Sequence, residues 1–116
     1  MTQSTTTFSR GDVVIVDFVY PNQAGSKHRP ALVVTSARYH AGRQEVVLAG
    51  VTSNVFRRLP GDTHLADWAA ADLPRPSVVT GILQTVKRSA VMRTLGSLSA
   101  RDLRAVEDSL REALAL

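Results

Sequence analysis

Three short apolar runs in the first half of the chain leave it little choice but to build a sheet. Gly11 to Phe18, GDVVIVDF, carries four β-branched residues in succession between Gly-Asp and Tyr-Pro signals. Such side chains suit a pleated, covered surface, so the run predicts a well-buried strand. Arg29 to Ser36, RPALVVTS, predicts a second. Pro30 should mark its beginning or an unpaired edge, because proline has no amide to give to a ladder. Glu45 to Ser53, EVVLAGVTS, predicts a third, interrupted by Gly50, where a bulge or a close backbone approach is expected. Between these runs, Tyr20 to Lys27 collects Pro, Asn, Gly and Ser and predicts a loop. Ala37 to Arg43 fits either an irregular connection or a short helical turn.

The second half is less regular. Asn54 to Gly61 has loop chemistry, and Thr63 to Pro76 shows little periodicity beyond a short strand near His64 to Asp67. Ser77 to Ile82 and Thr85 to Met92 predict two further strands. The chain then closes on a helix over 99–115, with Ser99 as N-cap and Asp102 three residues on, where a capping box places an acid. Leu98 and Leu103 occupy the positions of a hydrophobic staple, and Leu103, Val106, Leu110 and Leu114 form one apolar stripe. Short strands with turn signals between them, followed by one amphipathic helix, predict a mostly β fold. It is a single domain, a small and mainly antiparallel β-barrel closed by the C-terminal helix. Residues 1–9, polar and rich in Thr and Ser, predict a flexible tail rather than a secretory leader.

Composition narrows the function. With 116 residues, 44% of them hydrophobic and 21% charged, the chain has the balance of a soluble globular domain. It holds no cysteine, which removes disulfides, thiolate nucleophiles and cysteine-based metal sites and fits a cytoplasmic protein. No run approaches the ~18 apolar residues of a membrane span. The net charge is +4, and it is uneven. Residues 99–116 carry three Arg against four acids, so the rest holds eleven Lys and Arg against six Asp and Glu. A basic body of this kind suits a polyanionic partner, either nucleic acid or an acidic peptide.

Phosphate-loop, dinucleotide, zinc-protease and nucleophile-elbow patterns are all absent, and His28, His40 and His64 lack ligand spacing, so neither a metal nor a cofactor is expected. A polar cluster at strand edges remains. Lys27 and Arg29 flank His28 at a loop-to-strand boundary, and Thr52, Ser53 and Asn54 stand at the end of the third run. Alternation along a strand turns Lys27 and Arg29 one way and His28 the other. A guanidinium can clamp a phosphate oxygen and stabilise a pentacoordinate transition state, and a hydroxyl can add a hydrogen bond to the same oxygens. RNA brings its own nucleophile, the 2′-hydroxyl. Taken singly, Arg29 would serve equally as a surface ion-pair partner and Thr52 as an ordinary strand residue.

Three ordered blocks add a resemblance. GDVVIVDFVYPNQAGSKHRPALVVTS resembles the opening of MazF/PemK toxins, and VTSN at Val51 to Asn54 resembles their short motif after the third strand. The stretch from Pro76 to Leu114 is similar to their C-terminal part, which runs from a P-S strand through a T-x-x-K strand to a closing helix. The match spans Gly11 to Leu114 except Ala37–Gln44 and Asn54–Arg75. The resemblance implies an SH3-like barrel, as in MazF and CcdB, and a homodimer. It implies a type II toxin that cleaves single-stranded RNA without a metal, by 2′-hydroxyl attack, leaving 2′,3′-cyclic phosphate and 5′-hydroxyl ends. It makes Arg29 the acid/base and transition-state group and Thr52 the phosphate-oxygen partner. Ser53 and Asn54 become further candidates for the pocket, and Lys27 and Lys87 backbone contacts. His28 and Asp17 stand where some relatives use a His or an Asp in the site.

The Tyr20–Ser26 loop and the Arg57/Arg58 stretch are then expected to shape base selection, with Tyr20, Phe56 and Trp68 as candidate stacking platforms. An antitoxin with an acidic flexible tail is the expected protein partner. Two rivals share the fold: a CcdB-like gyrase poison that cuts nothing, and a barrel that only binds nucleic acid.

Overall fold

The computed structural model describes residues 6–21 and 27–116. Six strands and two helices follow one another: β1 (Asp12–Phe18), β2 (Lys27–Val33), α1 (Ala37–Gly42), β3 (Glu45–Thr52), β4 (Thr63–His64), β5 (Val78–Lys87), β6 (Arg93–Ser97) and α2 (Ala100–Leu114). Single 3-10 turns stand at Ala69–Ala71 and Arg88–Ala90. All strand pairs are antiparallel, in the order β4-β5-β3-β2-β1-β6. The result is a curled, mostly β half-barrel with one long C-terminal helix, the small antiparallel barrel expected. Among the described residues no helix is long and apolar enough to cross a membrane.

The β-branched runs form strands because both faces of the sheet are covered. One layer holds Val13, Leu32, Ala49, Val51 and Val79, packed with Val106 of α2. The other holds Val14, Val16, Phe18, Ala31, Val33 and Leu48. Each valine, leucine and phenylalanine among them, removed from water, contributes roughly 1.5–3 kcal/mol of transfer energy. A strand buried on both sides reads as a continuous apolar run rather than an alternating one, as β1 does.

The helix keeps its sequence grammar with one difference. Ser99 Oγ accepts from the Asp102 amide at 3.2 Å, as an N-cap should. Asp102 is 2% exposed, and its carboxylate accepts from the amides of Ala66 and Asp67 at 2.9 and 2.7 Å, so it pins the β4–β5 connection onto the helix. Leu103, Val106 and Leu110 pack into this chain's own core, while Leu114 is half exposed.

Three expectations need correction. Ser77 to Ile82 and Thr85 to Met92 are not two strands. A single ten-residue strand, β5, runs through Gly81 to Lys87. At its middle the Gly81 position packs against Gly61, where an added Cβ would stand 3.2 Å from the Gly61 Cα. Strand β6 lies on the β1 edge, a strand that local residue pattern does not announce, because RTLGS is mostly exposed and holds a glycine. The expected tail is docked from Thr6 onward among the described residues. Thr6 Oγ1 donates to the Met92 carbonyl, Thr94 Oγ1 donates to the Thr7 carbonyl, and Phe8 packs against the Val14 layer. Ala37 to Gly42 is helical, the second of the two conformations its sequence fits, with Ser36 as N-cap.

Candidate active site

The geometry of the candidate site begins with a hydrogen bond that cannot form. Strand β2 pairs with β3 only over Ala31 to Val33. In an antiparallel strand alternate amides point to the same neighbour, and the Val34 amide donates to the Val47 carbonyl of β3 at 3.1 Å. The same phase aims the backbone of residues 32 and 30 at β3, and residue 30 is proline. The carbonyl that Pro30 would have served, Val51 O, accepts instead from the Tyr20 hydroxyl at 3.1 Å. The ladder therefore stops, and the two strands part just where continuing the register would set Arg29 opposite Thr52. Proline thus sits at an unpaired stretch, as expected.

A cavity of about 250 Å³ opens at this gap. Arg29 and Pro30 line one side, and Val51, Thr52 and Ser53 line its floor. Leu73, Pro74, Arg75 and Ser77 close the side next to β5. The two residues at the centre of the sequence argument thus meet at one pocket.

Each is held from behind. The Arg29 guanidinium lies over the Tyr20 ring, 5.0 Å from its centroid, in cation–π geometry. Tyr20 is 6% exposed, and burial pushes its phenol above the ordinary range while the Arg29 and Arg57 charges pull the other way. It stays protonated and donates to Val51. Behind it, Gly50 is obligatory, since a Cβ there would stand 2.6 Å from the tyrosine hydroxyl and 2.8 Å from Phe18 Cε1. The β3–β5 register shifts at the same glycine, the bulge expected from the sequence, and its carbonyl accepts from Thr80 Oγ1 at 2.8 Å. Thr52 Oγ1 accepts from the Asn54 amide at 3.1 Å. That contact occupies a lone pair and leaves the hydroxyl proton for a ligand oxygen in the pocket.

The remaining candidates divide. Ser53 lines the pocket, whereas the Asn54 side chain accepts from the Phe56 amide at 3.2 Å and shapes the turn. Lys27 is exposed two residues before Arg29, on the same side of β2. His28 and Asp17 face each other across β1 and β2, with Nε2 and Oδ1 at 2.9 Å, and neither lines the cavity.

Arg57, expected to contact RNA, is instead a clamp inside the loop after β3. Its Nε donates at 2.8 Å to Asp62, whose side chain is 2% exposed and also accepts from the Leu59 and Gly81 amides. Lys87 stands apart from the pocket. It pairs with Glu45 at the far end of β3, seven residues from Thr52 and about 23 Å away at strand spacing. Tyr20 and Trp68 are withdrawn as stacking platforms, because the first is buried under Arg29 and the second packs against the Val13 layer. Phe56 is 90% exposed on the loop beyond Thr52, and Arg58 beside it is exposed as well. Residues 22–26 of the loop expected to select bases lie outside the described residues.

Arg75 was not singled out from the sequence. Only its setting between Pro74 and Pro76 marks it, and nothing local tells that this segment folds back beside Thr52. Among the described residues no three His, Asp or Glu side chains gather as a metal-binding group.

The same architecture recurs in solved structures. The chain is similar to an endoribonuclease from a mycobacterial species in complex with its cognate antitoxin, at 20% identity and a TM-score of 0.76 over 95% of this chain and 97% of that one. It is similar to the Mycobacterium tuberculosis toxin MazF-mt6 at 25% identity and a TM-score of 0.74 over 90% and 97%. A MazE-MazF structure from Deinococcus radiodurans follows, at 24% identity and a TM-score of 0.72 over 93% and 96%. No curated protein sequence matches. The family described as the PemK-like, MazF-like toxin of type II toxin-antitoxin systems matches residues 9–114. With nearly its whole length matched, and with a basic pocket at the parted strands, the chain belongs to the PemK-like, MazF-like toxins of type II toxin–antitoxin systems.

Proposed function

We propose that this toxin is an endoribonuclease that cleaves single-stranded RNA at the pocket between β2 and β3. The observation that carries the reading is that Arg29 and Thr52, distant in the chain, line one cavity open to a polymer. A scissile phosphate seated there meets the Arg29 guanidinium and the Thr52 hydroxyl. The neighbouring ribose 2′-oxygen bonds to phosphorus, releasing its proton to water, as the 5′-oxygen leaves and takes a proton from water, giving a 2′,3′-cyclic phosphate and a 5′-hydroxyl end. In the pentacoordinate transition state the non-bridging oxygens gain negative charge. Two guanidinium N–H groups and one hydroxyl then bind more tightly than they bind the ground state. Arginine stays charged at any working pH, so its contribution is positioning and charge stabilisation rather than titration. The chain itself supplies both groups, and no metal takes part.

Lys27, Ser53 and the exposed Phe56 loop extend the surface along the RNA on either side of the break. An antitoxin with an acidic, flexible tail fits the same basic groove, and a second copy of the chain completes a two-fold dimer. The antitoxin-bound state of the mycobacterial endoribonuclease and the MazE-MazF pairing in Deinococcus radiodurans support such partners.

The test uses long single-stranded RNA in EDTA with the wild-type protein, Arg29→Ala and Thr52→Ala. Cyclic-phosphate fragments from the wild type alone are expected. Gel-shift binding without fragments would replace this reading with passive binding, and blocked DNA supercoiling with intact RNA would replace it with gyrase poisoning.

A further inference from the structure

Three features of the pocket remain unused by the cleavage step: a second charged group, an apolar wall and a backbone confined by two prolines. All three belong to the segment before β5. In the sheet order β5-β3-β2, the end of β3 lies between its two neighbours. Arg29 therefore reaches the cavity from the β2 side and Arg75 from the β5 side, with Thr52 between them.

Arg75 is set on a rigid mount. The flanking prolines fix their own φ, and Pro76 confines Arg75 to extended backbone. The Arg75 carbonyl accepts from the buried Ser77 Oγ at 2.8 Å, and Leu73 anchors the other side in the core. The start of the segment is fixed as well, because Asp72 adopts the left-handed conformation (φ 61°) and its amide donates to Ala69 O, ending the 3-10 turn.

The side chain itself is exposed, and among the described residues no carboxylate lies within 4.0 Å of it. Arg57 and Arg101 show the contrast, since Asp62 and Asp67 neutralise them. A cation on a fixed backbone, aimed at a pocket and left without an acid, is suited to an anion from outside the chain. Single-stranded RNA offers one phosphate per nucleotide, so a strand whose scissile phosphate sits at Arg29 and Thr52 must pass a neighbouring phosphate along one wall.

We propose that Arg75 binds the phosphate adjacent to the scissile one, while the exposed Pro74 covers the sugar between the two. This rests on the ribonuclease reading and adds a positioning residue to it. Arg75 sets the strand's register on the pocket and does not touch the reacting atoms.

The experiment first maps the cleavage site on long RNA by sequencing fragment ends. A short RNA spanning that site is then made with each flanking linkage replaced in turn by an uncharged methylphosphonate. Wild type, Arg75→Ala and Arg75→Lys are compared by kcat, KM and salt dependence. In wild type, one neutral linkage should raise KM about tenfold, the scale of one charge-assisted contact. Arg75→Ala should raise KM by a similar factor on the fully charged RNA, leave kcat within about twofold, and lose all sensitivity to that one linkage. Its slope of log affinity against log salt should be shallower by about 0.7, and Arg75→Lys should recover part of the loss. Unchanged melting checks that the variant is folded.

Equal sensitivity of wild type and Arg75→Ala to every neutral linkage would overturn the proposal, as would a loss confined to kcat. If the wild type cuts no RNA, the ribonuclease reading fails by itself. Arg75 is then judged by direct binding of the same single strands, and an unchanged affinity and salt slope in Arg75→Ala would reject it.

Discussion

The two ends of β3 carry similar chemistry and opposite fates. At the Glu45 end, cations and polar groups are plentiful, yet the β3–β5 ladder runs unbroken from Ala49 to Glu45. Lys87 stands opposite Glu45, the Arg88 amide donates to Gln44 O, and the Arg88 guanidinium donates to the His40 carbonyl at 3.0 Å. His40 itself is buried, shares a 2.6 Å hydrogen bond with Thr35 and meets Phe8 edge-on. At the Thr52 end the neighbouring ladder is missing, and the gap is lined by Arg29, Thr52 and Arg75. Charge alone does not separate the two ends. What differs is whether the backbone closes over the space between strands.

The largest test of this contrast is Arg29→Ala. It should lower kcat roughly a thousandfold, the scale of losing a donor aimed at developing charge, without changing the melting temperature by more than a few degrees. A variant that still cuts at wild-type rate would show that the gap is not where catalysis occurs. Tyr20→Phe comes next, since it keeps the ring under Arg29 but deprives Val51 O of its donor. Leaving a buried acceptor unsatisfied costs about 1–3 kcal/mol, read by urea denaturation, and cleavage should slow by less than it does in Arg29→Ala.

A smaller effect belongs to the closed end. Burial, and then the Arg88 charge, hold the His40 pKa below its ordinary 6.5, so the unfolded chain takes up the proton first. Stability from this group is therefore fully present above about pH 6.5 and declines as the pH falls towards the lower folded value. Melting temperatures across that window should drop in wild type and less so in His40→Gln. Equal slopes would mean that another group sets the trend. Smallest of all is Lys87→Ala, expected to change cleavage by less than about twofold. A tenfold loss would extend the RNA path to the far end of β3 and break the contrast.

Much of this was legible in the sequence, for physical reasons that also explain the gaps. Strands β1 to β3 declare themselves because their runs are buried on both faces, and α2 because one stripe of leucines faces one core. Strand β6 does not, since an edge strand with Arg93, Thr94 and Ser97 exposed owes its conformation to the β1 edge beside it. Arg29 and Thr52 could be named from residue type and position. The Arg57 ion pair is not legible in the sequence, because its partner, Asp62, is a loop residue five positions on that only the folded turn brings into contact. Arg75 was missed because its importance comes entirely from where β5 lies.

Pro30 has a consequence beyond geometry. Because the opening follows from an absent backbone donor, the side chains around it are free to change without the opening being lost. Arg75, Ser53 and the Phe56 loop can be exchanged to suit a different RNA while the seat for the cleaved bond persists. Any other residue at position 30 would bring back an amide aimed at Val51, in competition with the tyrosine. A single ring thus keeps the doorway ajar, and the furniture around it can be rearranged.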